Sequence, residues 1–123
     1  MVCHSDKRGS IIEIDRGRTW EQFNIVTSKK GSIRGNHYHK NTIELLYCLK
    51  GKLEIHLVNL KNKKRQKFRI LPGEGIIIEL YDAHAVQAIE DSSWTILYSK
   101  EFDPNDNDLN AFIVMKNAGK SRV

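Results

Sequence analysis

The sequence predicts an all-β protein, a sandwich or barrel assembled from short strands. About nine runs of β-favouring residues follow one another along the chain, each ending at a cluster of turn-forming residues. Residues 53–57 alternate apolar and polar side chains, which is typical of a strand with one buried and one solvated face. No segment shows the long amphipathic pattern of a helix. Together these observations favour the all-β class.

Glycine turns separate the first five predicted strands. Gly17 and Gly31 lie in polar clusters that end two of the runs. The sequence around Gly51, between Lys50 and Lys52, is short enough for a tight hairpin between two apolar runs. The predicted strands of this half are residues 10–14, 19–27, 32–39, 42–49 and 53–60.

Two further turns divide the second half of the chain. A basic run at 61–65 forms the first, and the Pro-Gly-Glu-Gly sequence at 72–75 forms the second. A C-terminal extension follows over 101–123, and within it residues 103–108 interrupt the strand pattern. We expect this extension to add a strand or to pack on a second subunit. The predicted strands of this half are residues 67–71, 76–80, 83–89 and 94–99.

Size and composition indicate one ordinary globular domain. We expect a single domain over residues 1–123, with its barrel at about 10–100. No apolar run approaches the ~20 residues of a membrane span, and the charged N-terminus lacks the apolar core of a signal peptide. Cys3 and Cys48 are too few for a disulfide framework. We therefore expect a cytoplasmic protein with reduced thiols and no membrane partner.

The chain carries a formal net charge of +5, and part of this excess lies in the basic run at 61–65. Such a run is most often a solvated turn, although it can also attract an anionic ligand. Aromatic residues do not alternate with the basic ones, and no nucleic-acid-binding motif is present. We expect a small phosphorylated ligand rather than nucleic acid.

Two histidines and a glutamate form the most informative pattern. His37 and His39 are two residues apart in a predicted strand, so their side chains point to the same face. Glu44 begins the next strand after a short connection and can approach the same point. Imidazole and carboxylate ligands together suit a borderline divalent cation and leave positions for water or substrate. The pattern therefore predicts a metal site.

A fourth ligand is expected from elsewhere in the barrel, and the candidates are His4, His56 and His84. His4 lies near the terminus, and His56 alternates with apolar residues in a way that places it on the solvated face. His84 follows a turn and opens an apolar strand. We expect one divalent metal ion (Fe, Mn, Ni or Zn), held by His37, His39, Glu44 and His84.

The segment from Gly31 to Gly51 resembles the first motif of the cupin superfamily. That motif is a glycine, five residues, His-x-His, four residues, Glu, six residues and a second glycine, and the chain matches it throughout. The resemblance implies the cupin fold, a double-stranded β-helix or jelly-roll barrel. It also implies the homodimer that is common among cupins.

The second cupin motif is matched in part. Gly75 and His84 stand at its glycine and histidine. Glu79 and Tyr81 replace its usual proline and glycine, and the customary asparagine after the histidine is missing. We expect these departures to alter the local turn more than the ligand.

Three short segments, 15–17, 34–40 and 102–108, look like those of cupins that act on nucleotide-linked deoxy-keto-sugars. These cupins are the WxcM-type 3,4-ketoisomerases and the C-terminal cupin of the capsular UDP-sugar reductase/epimerase. The rhamnose-pathway 3,5-epimerases share an Arg-Gly-x-His segment. The ketoisomerases commonly carry Gln where this chain has Glu44, and they work without a metal. Glu44 therefore favours a metal-bearing branch.

This resemblance implies an isomerase or epimerase that removes the proton next to the carbonyl of a nucleotide-linked keto-deoxy-sugar. A metal or a cationic side chain would stabilise the enolate. Arg34 and Lys40 are expected to bind the substrate, since the planar fork of arginine matches phosphate oxygens. The candidate bases are Tyr81 and the pair that the ketoisomerases use, here His37 and His39. A histidine that ligates a metal is not free to be a base, so these assignments compete.

Two other functions stay open. Three histidines and a glutamate around Fe(II) leave sites for dioxygen and a chelating substrate, as in a cupin dioxygenase. A non-catalytic barrel would bind a small molecule or a structural metal. The fold alone does not separate these functions.

Overall fold

Short antiparallel strands form the fold in the computed structural model, which describes residues 2–116. None of these residues is helical, so this part of the chain contains no helix that could cross a membrane. The strands in chain order are β1 (Val2–Asp6), β2 (Gly9–Glu13), β3 (Gln22–Ser28), β4 (Ile33–Tyr38), β5 (Glu44–Lys50), β6 (Leu53–Asn59), β7 (Arg65–Ile70), β8 (Gly75–Ile78), β9 (Asp82–Ala88), β10 (Ser92–Tyr98) and β11 (Asn110–Ala111).

The strands are arranged in two main sheets and one separate hairpin. One main sheet has the order β3-β10-β5-β8, and the other has the order β11-β4-β9-β6-β7. Strands β1 and β2 pair only with each other among the described residues. Consecutive strands of the chain therefore pass repeatedly from one main sheet to the other, as in a jelly roll.

The core lies between the two main sheets. Along each strand alternate side chains point inward, and their burial removes apolar surface from water at about 25 cal/mol per Å². Leu46 and Cys48 of β5 face Leu53 and Ile55 of β6, and all four are fully buried. The remaining buried members of this cluster are Leu57, Ile70, Ile78, Val86, Ala88, Trp94 and Ile96.

The prediction of an all-β barrel is confirmed, and each of the nine predicted runs corresponds to one strand from β2 to β10. The run predicted at 19–27 begins later, at Gln22. Two strands were missed: β1, whose residues are all exposed, and β11, which has only two residues. The C-terminal extension thus adds a strand, and its residues 117–123 lie outside the described part of the chain.

A β-bulge in β4 sets which side chains face the barrel interior. Gly35 pairs with Ala85 and His37 pairs with His84, so the intervening Asn36 is extra. Asn36 has a φ of 57° and Gly35 a φ of 100°. Because of the extra residue, Arg34 and His37 share the inner face although they are an odd number of residues apart.

We expect Gly35→Ala to destabilise the protein far more than Gly17→Ala. Both glycines have positive φ, which costs alanine roughly 1 kcal/mol. A Cβ at Gly17 meets nothing within 4 Å, whereas one at Gly35 comes within 2.7 Å of the His84 carbonyl oxygen. The additional loss at Gly35 should be on the order of 2 kcal/mol, measured by urea unfolding. Equal losses for the two variants would contradict the close approach of β4 to β9.

Candidate metal and proton-transfer site

The three elements β4, β5 and β9 bring the predicted ligands together at one end of the barrel. His37 of β4 lies opposite His84 of β9, Glu44 is the first residue of β5, and His39 directly follows β4. One potential ligand atom from each of the four residues lies within 4.8 Å of all the others. The structure thus gathers every residue of the predicted ligand set.

Two backbone carbonyls orient the buried imidazoles. Nδ1 of His39 lies 2.8 Å from the carbonyl oxygen of Asp108, and Nδ1 of His84 lies 3.0 Å from that of Asp82. A carbonyl only accepts hydrogen bonds, so each Nδ1 carries a proton in these contacts. In the neutral tautomer Nε2 then holds a lone pair and no hydrogen. Both of these lone pairs are available to the cluster.

The carboxylate of Glu44 faces both Nε2 atoms. Its Oε1 lies 2.9 Å from Nε2 of His39, and its Oε2 lies 3.0 Å from Nε2 of His84. The residue is only 1% exposed, yet Oε2 accepts no hydrogen bond. A buried anion beside two lone pairs is costly unless positive charge is supplied. A divalent cation satisfies this demand with ligand types that it prefers, so the residues fit such an ion.

The pKa values of these groups follow from burial and from their mutual charges. Burial, and then the neighbouring His84, lower the pKa of His37 to about 4, so this imidazole is neutral at physiological pH. Burial also disfavours the charged form of His39, but Glu44 outweighs this effect and raises the pKa of His39. Burial favours the protonated form of Glu44, yet His39 and His84 hold its pKa well below the usual range.

A partly open cavity of about 170 Å³ lies beside the cluster. Its apolar wall is formed by side chains from both main sheets. Its polar side consists of the cluster residues His37, Glu44 and His84 together with Arg34 and Tyr98. The apolar lining residues are Val26, Leu46, Val86, Trp94 and Ile96.

Tyr98 is a candidate functional residue that the sequence interpretation missed. It is the last residue of β10 and lies opposite Glu44 in the sheet register. Burial, and then the negative charge of Glu44, raise the pKa of Tyr98 to about 12. It lies outside both cupin motifs, but the alternation with Trp94 and Ile96 along β10 places it inside the barrel. That alternation is the signal that would have found it.

Arg34 lines the cavity, as the predicted substrate role requires, but the residue is largely exposed and part of its guanidinium is engaged within the chain. Nε donates to Ser28 Oγ and Nη2 donates to the carbonyl oxygen of Thr27, both at 3.1 Å. These bonds join β4 to β3 across the seam between the sheets. The guanidinium has five N–H groups, so donors remain for a ligand.

The structure does not bring Tyr81 to the cluster. Its ring stacks on Tyr38 with centroids 6.0 Å apart, and Nζ of Lys61 lies 4.7 Å from the Tyr81 centroid. Tyr38 lies between His37 and His39 in sequence and so points to the opposite face. Tyr81 also has a φ of 63° at the position where the second cupin motif usually has glycine. Its placement therefore gives no support to the predicted role as base.

Lys40, the other predicted substrate residue, lies exposed in the loop between β4 and β5. Its backbone N–H donates to Asp108 Oδ1 at 2.9 Å. This contact fixes the backbone of the loop and leaves the ammonium group in solvent. The substrate role of Lys40 stays a prediction.

Two surface depressions near the cavity differ in charge. A groove shares Arg34 with the cavity and is also lined by Lys29 and Lys50, with Asp91 as its acidic member. A cleft of about 470 Å³ reaches His39 and Tyr98 from another side. That cleft contains one lysine and five acidic residues, Glu21, Glu101, Asp103, Asp106 and Asp108. An anionic ligand is attracted to the groove and repelled by the cleft.

Comparison with known families and proteins gives a consistent result. The family model described as "Polysaccharide biosynthesis C-terminal domain" matches residues 4–110. The UDP-2-acetamido-2,6-beta-L-arabino-hexul-4-ose reductase of Pseudomonas aeruginosa is 32% identical over 60 residues, which are 49% of this chain and 16% of that protein. The L-ectoine synthase of Teredinibacter turnerae is 29% identical over 77 residues, 63% of this chain and 54% of that protein. The chain thus spans about half or less of these curated relatives.

Solved structures share the fold. The capsular polysaccharide assembling protein CapF from Staphylococcus aureus matches 90% of this chain and 34% of its own, with a TM-score of 0.71 and 23% identity. The dTDP-4-dehydrorhamnose 3,5-epimerase from Sulfolobus tokodaii matches 84% of this chain and 69% of its own, with a TM-score of 0.72 and 24% identity. The predicted RmlC-like cupin fold is confirmed.

Proposed function

Since the chain belongs to the polysaccharide biosynthesis C-terminal domain family, we propose that it is a metal-binding cupin that isomerises or epimerises a nucleotide-linked keto-deoxy-sugar. The names of its sugar-nucleotide reductase relative and of its epimerase neighbours support this substrate class. The observation that carries the metal part is the buried Glu44 carboxylate between two imidazole lone pairs. The metal and the sugar chemistry are separable parts of the proposal and have separate tests.

The metal would be held by His37, His39, Glu44 and His84. A bound divalent ion supplies Lewis acidity, which polarises a sugar carbonyl and lowers the energy of the enolate formed next to it. The fixed Nδ1 contacts of His39 and His84 keep their Nε2 atoms turned inward, so little reorganisation is needed on binding. Fe, Mn, Ni and Zn all accept this ligand set.

We assign the proton transfer to Tyr98. If His37 and His39 ligate the metal, their lone pairs are not available to a substrate proton. Arg34 and Tyr98 are then the ionisable groups that line the cavity besides the cluster. Arginine does not release its proton in proteins, whereas Tyr98 carries a proton at neutral pH. The proton next to the polarised carbonyl would pass to solvent water, Tyr98 would deliver its own proton to the enolate carbon, and the tyrosinate would regain a proton from solvent.

The nucleotide part of the substrate would lie along the groove at Arg34. The guanidinium lines both the groove and the cavity, so it can bind a phosphate while the sugar occupies the barrel. Lys29 and Lys50 add positive charge to the same groove. The acidic cleft on the other side disfavours a diphosphate there.

A second copy of the chain is the partner that we propose for the outer face of the four-stranded sheet. Four apolar residues lie side by side across that face in the strand register, from the exposed Phe23 through the half-buried Leu97 and the buried Leu45 to the half-buried Ile77. Phe23 is 59% exposed, and Ile25 beside it on β3 is 66% exposed. The hairpin β1–β2 is also almost wholly exposed, although a lone two-stranded hairpin is marginal in water. A symmetric dimer would cover both features.

For the metal, we expect protein purified without added metal to contain close to one divalent ion per chain by elemental analysis. Glu44→Gln should lose this ion because it removes the anionic ligand. Circular dichroism and thermal unfolding should show that Glu44→Gln stays folded, since it also removes a buried charge. Glu54→Gln, on the outer face of β6, is the matched control and should keep the ion. A folded wild-type protein that takes up none of these metals would refute the site.

For the chemistry, we expect solvent deuterium to enter a nucleotide-linked 4-keto-6-deoxy-sugar next to its carbonyl, as followed by NMR. Tyr98→Phe should slow this exchange on the order of 10²-fold or more while the metal is retained. Tyr81→Phe removes the same hydroxyl outside the cavity and should leave the rate unchanged.

Failure of exchange with every such sugar would reject the isomerase. Oxygen uptake that requires Fe(II) would then favour the dioxygenase, and a bound metal without turnover would favour the non-catalytic binding protein. A Tyr81→Phe variant as slow as Tyr98→Phe would reject the assignment of the proton donor.

For the dimer, we expect sedimentation equilibrium to give twice the chain mass at micromolar concentration. Ile25→Lys should yield folded monomers because it places a charge on the most exposed apolar part of that face. Leu71→Lys, at an exposed leucine in the turn after β7, should remain dimeric. A monomeric wild-type protein under these conditions would contradict the proposal.

A further inference from the structure

The segment that follows β10 returns to the metal-ligand cluster through one residue. It leaves the four-stranded sheet after Tyr98 and joins the other sheet as β11 beside β4. Asp108 lies just before β11 and has a φ of 54°, in the left-handed region. Its backbone carbonyl therefore points in a direction that an ordinary extended residue would not give it.

Asp108 contacts the ligand loop with both its side chain and its backbone. The carboxylate accepts the N–H groups of Lys40 and Asn41 at 2.9 and 2.8 Å, and the hydroxyl of Thr42 at 3.1 Å. The backbone carbonyl accepts Nδ1–H of His39 at 2.8 Å. One residue thus fixes the loop that joins His39 to Glu44 and also holds the His39 ring.

We infer that Asp108 is a positioning residue: it selects the His39 tautomer that turns Nε2 towards the cluster, and it thereby sets the affinity for the metal. The inference rests on the proposed metal site for its effect on affinity. Its effect on the tautomer does not depend on a metal, because a carbonyl oxygen accepts a hydrogen bond only from a protonated Nδ1.

Nearby carboxylates on the same segment make no comparable contact among the described residues. Asp103 accepts the backbone N–H of Asn105, and the backbone N–H of Asp106 donates to the Asp103 carbonyl. These bonds stay within the segment. Asp106 therefore offers a control of equal charge and similar position.

The test compares Asp108→Asn and Thr42→Val with Asp106→Asn. Asparagine tolerates the left-handed conformation and keeps the backbone carbonyl, but it cannot accept every bond of the carboxylate, which also accepts Nδ2–H of Asn110 at 3.4 Å. Thr42→Val removes one of those bonds with little change of shape, so it remains informative if Asp108→Asn folds poorly. Three measurements apply to each protein: the His39 tautomer from ¹⁵N NMR of the metal-free form, Zn²⁺ affinity by chelator competition, and the absorption bands of the Co²⁺ form.

At a pH above the raised pKa of His39, where its ring is neutral, we expect His39 of the wild-type protein to carry its proton on Nδ1. Asp108→Asn should mix the two tautomers, weaken Zn²⁺ binding roughly 10-fold or more and shift the Co²⁺ bands. Thr42→Val should move each measurement in the same direction by less, and Asp106→Asn should match wild type. A purely structural role for Asp108 would lower the unfolding temperature without changing tautomer or affinity, and that result would overturn the inference.

If wild-type protein binds neither ion, the proposed metal site fails, and the tautomer alone decides the role of Asp108. An unchanged His39 tautomer in both folded variants would then reject it. Failure of the positioning role is thus distinguishable from failure of the metal site.

Discussion

The buried carboxylate of Glu44 is the interaction on which the arrangement of this site depends. A carboxylate that is 1% exposed has lost its hydration and must recover that energy from its neighbours. In this barrel its nearest polar neighbours are the Nε2 atoms of His39 and His84, whose protons are directed to backbone carbonyls at Nδ1. The carboxylate and the two imidazoles thus meet at one point, where protonated imidazole or a bound cation supplies the balancing positive charge. The attraction of His39 and His84 keeps Glu44 ionised, and a divalent cation would replace protons on these imidazoles at the same point.

The strands around Glu44 place the other side chains of the site mainly through a β-bulge and through the sheet register. The bulge at Asn36 brings Arg34 and His37 to the same inner face, and the sheet register sets Tyr98 opposite Glu44. The apolar wall of the cavity lowers the local dielectric, which strengthens the electrostatic interactions beside it. A site on a rigid barrel can therefore keep its groups in place before any ligand arrives.

The fold class was predictable from the periodicity of the sequence, and the convergence of the four clustered residues was predictable from alternation and motif spacing. Alternation placed His37 and His39 on one face, and the turn residues delimited nine strands correctly to within a few residues. Tyr81 was expected near the site from its position in the chain, but a single residue in the left-handed conformation directs its ring to Tyr38. Asp108 was not singled out, because its role depends on contacts with residues more than sixty positions away, and local patterns do not report such contacts.

The short strand β11 also determines where the chain can be truncated without exposing the edge of β4. A boundary drawn at the end of the nine-strand barrel, near residue 100, would leave the N–H and C=O groups of β4 unpaired from His37 onward. The same cut would remove Phe112, Val114 and Met115, whose backbone groups bond to Asn36. An exposed strand edge of this kind is a template for pairing with other chains. A shortened barrel would be prone to aggregation even with its core and its cupin motifs intact, so a transplanted or fused version of the domain should extend at least to Met115.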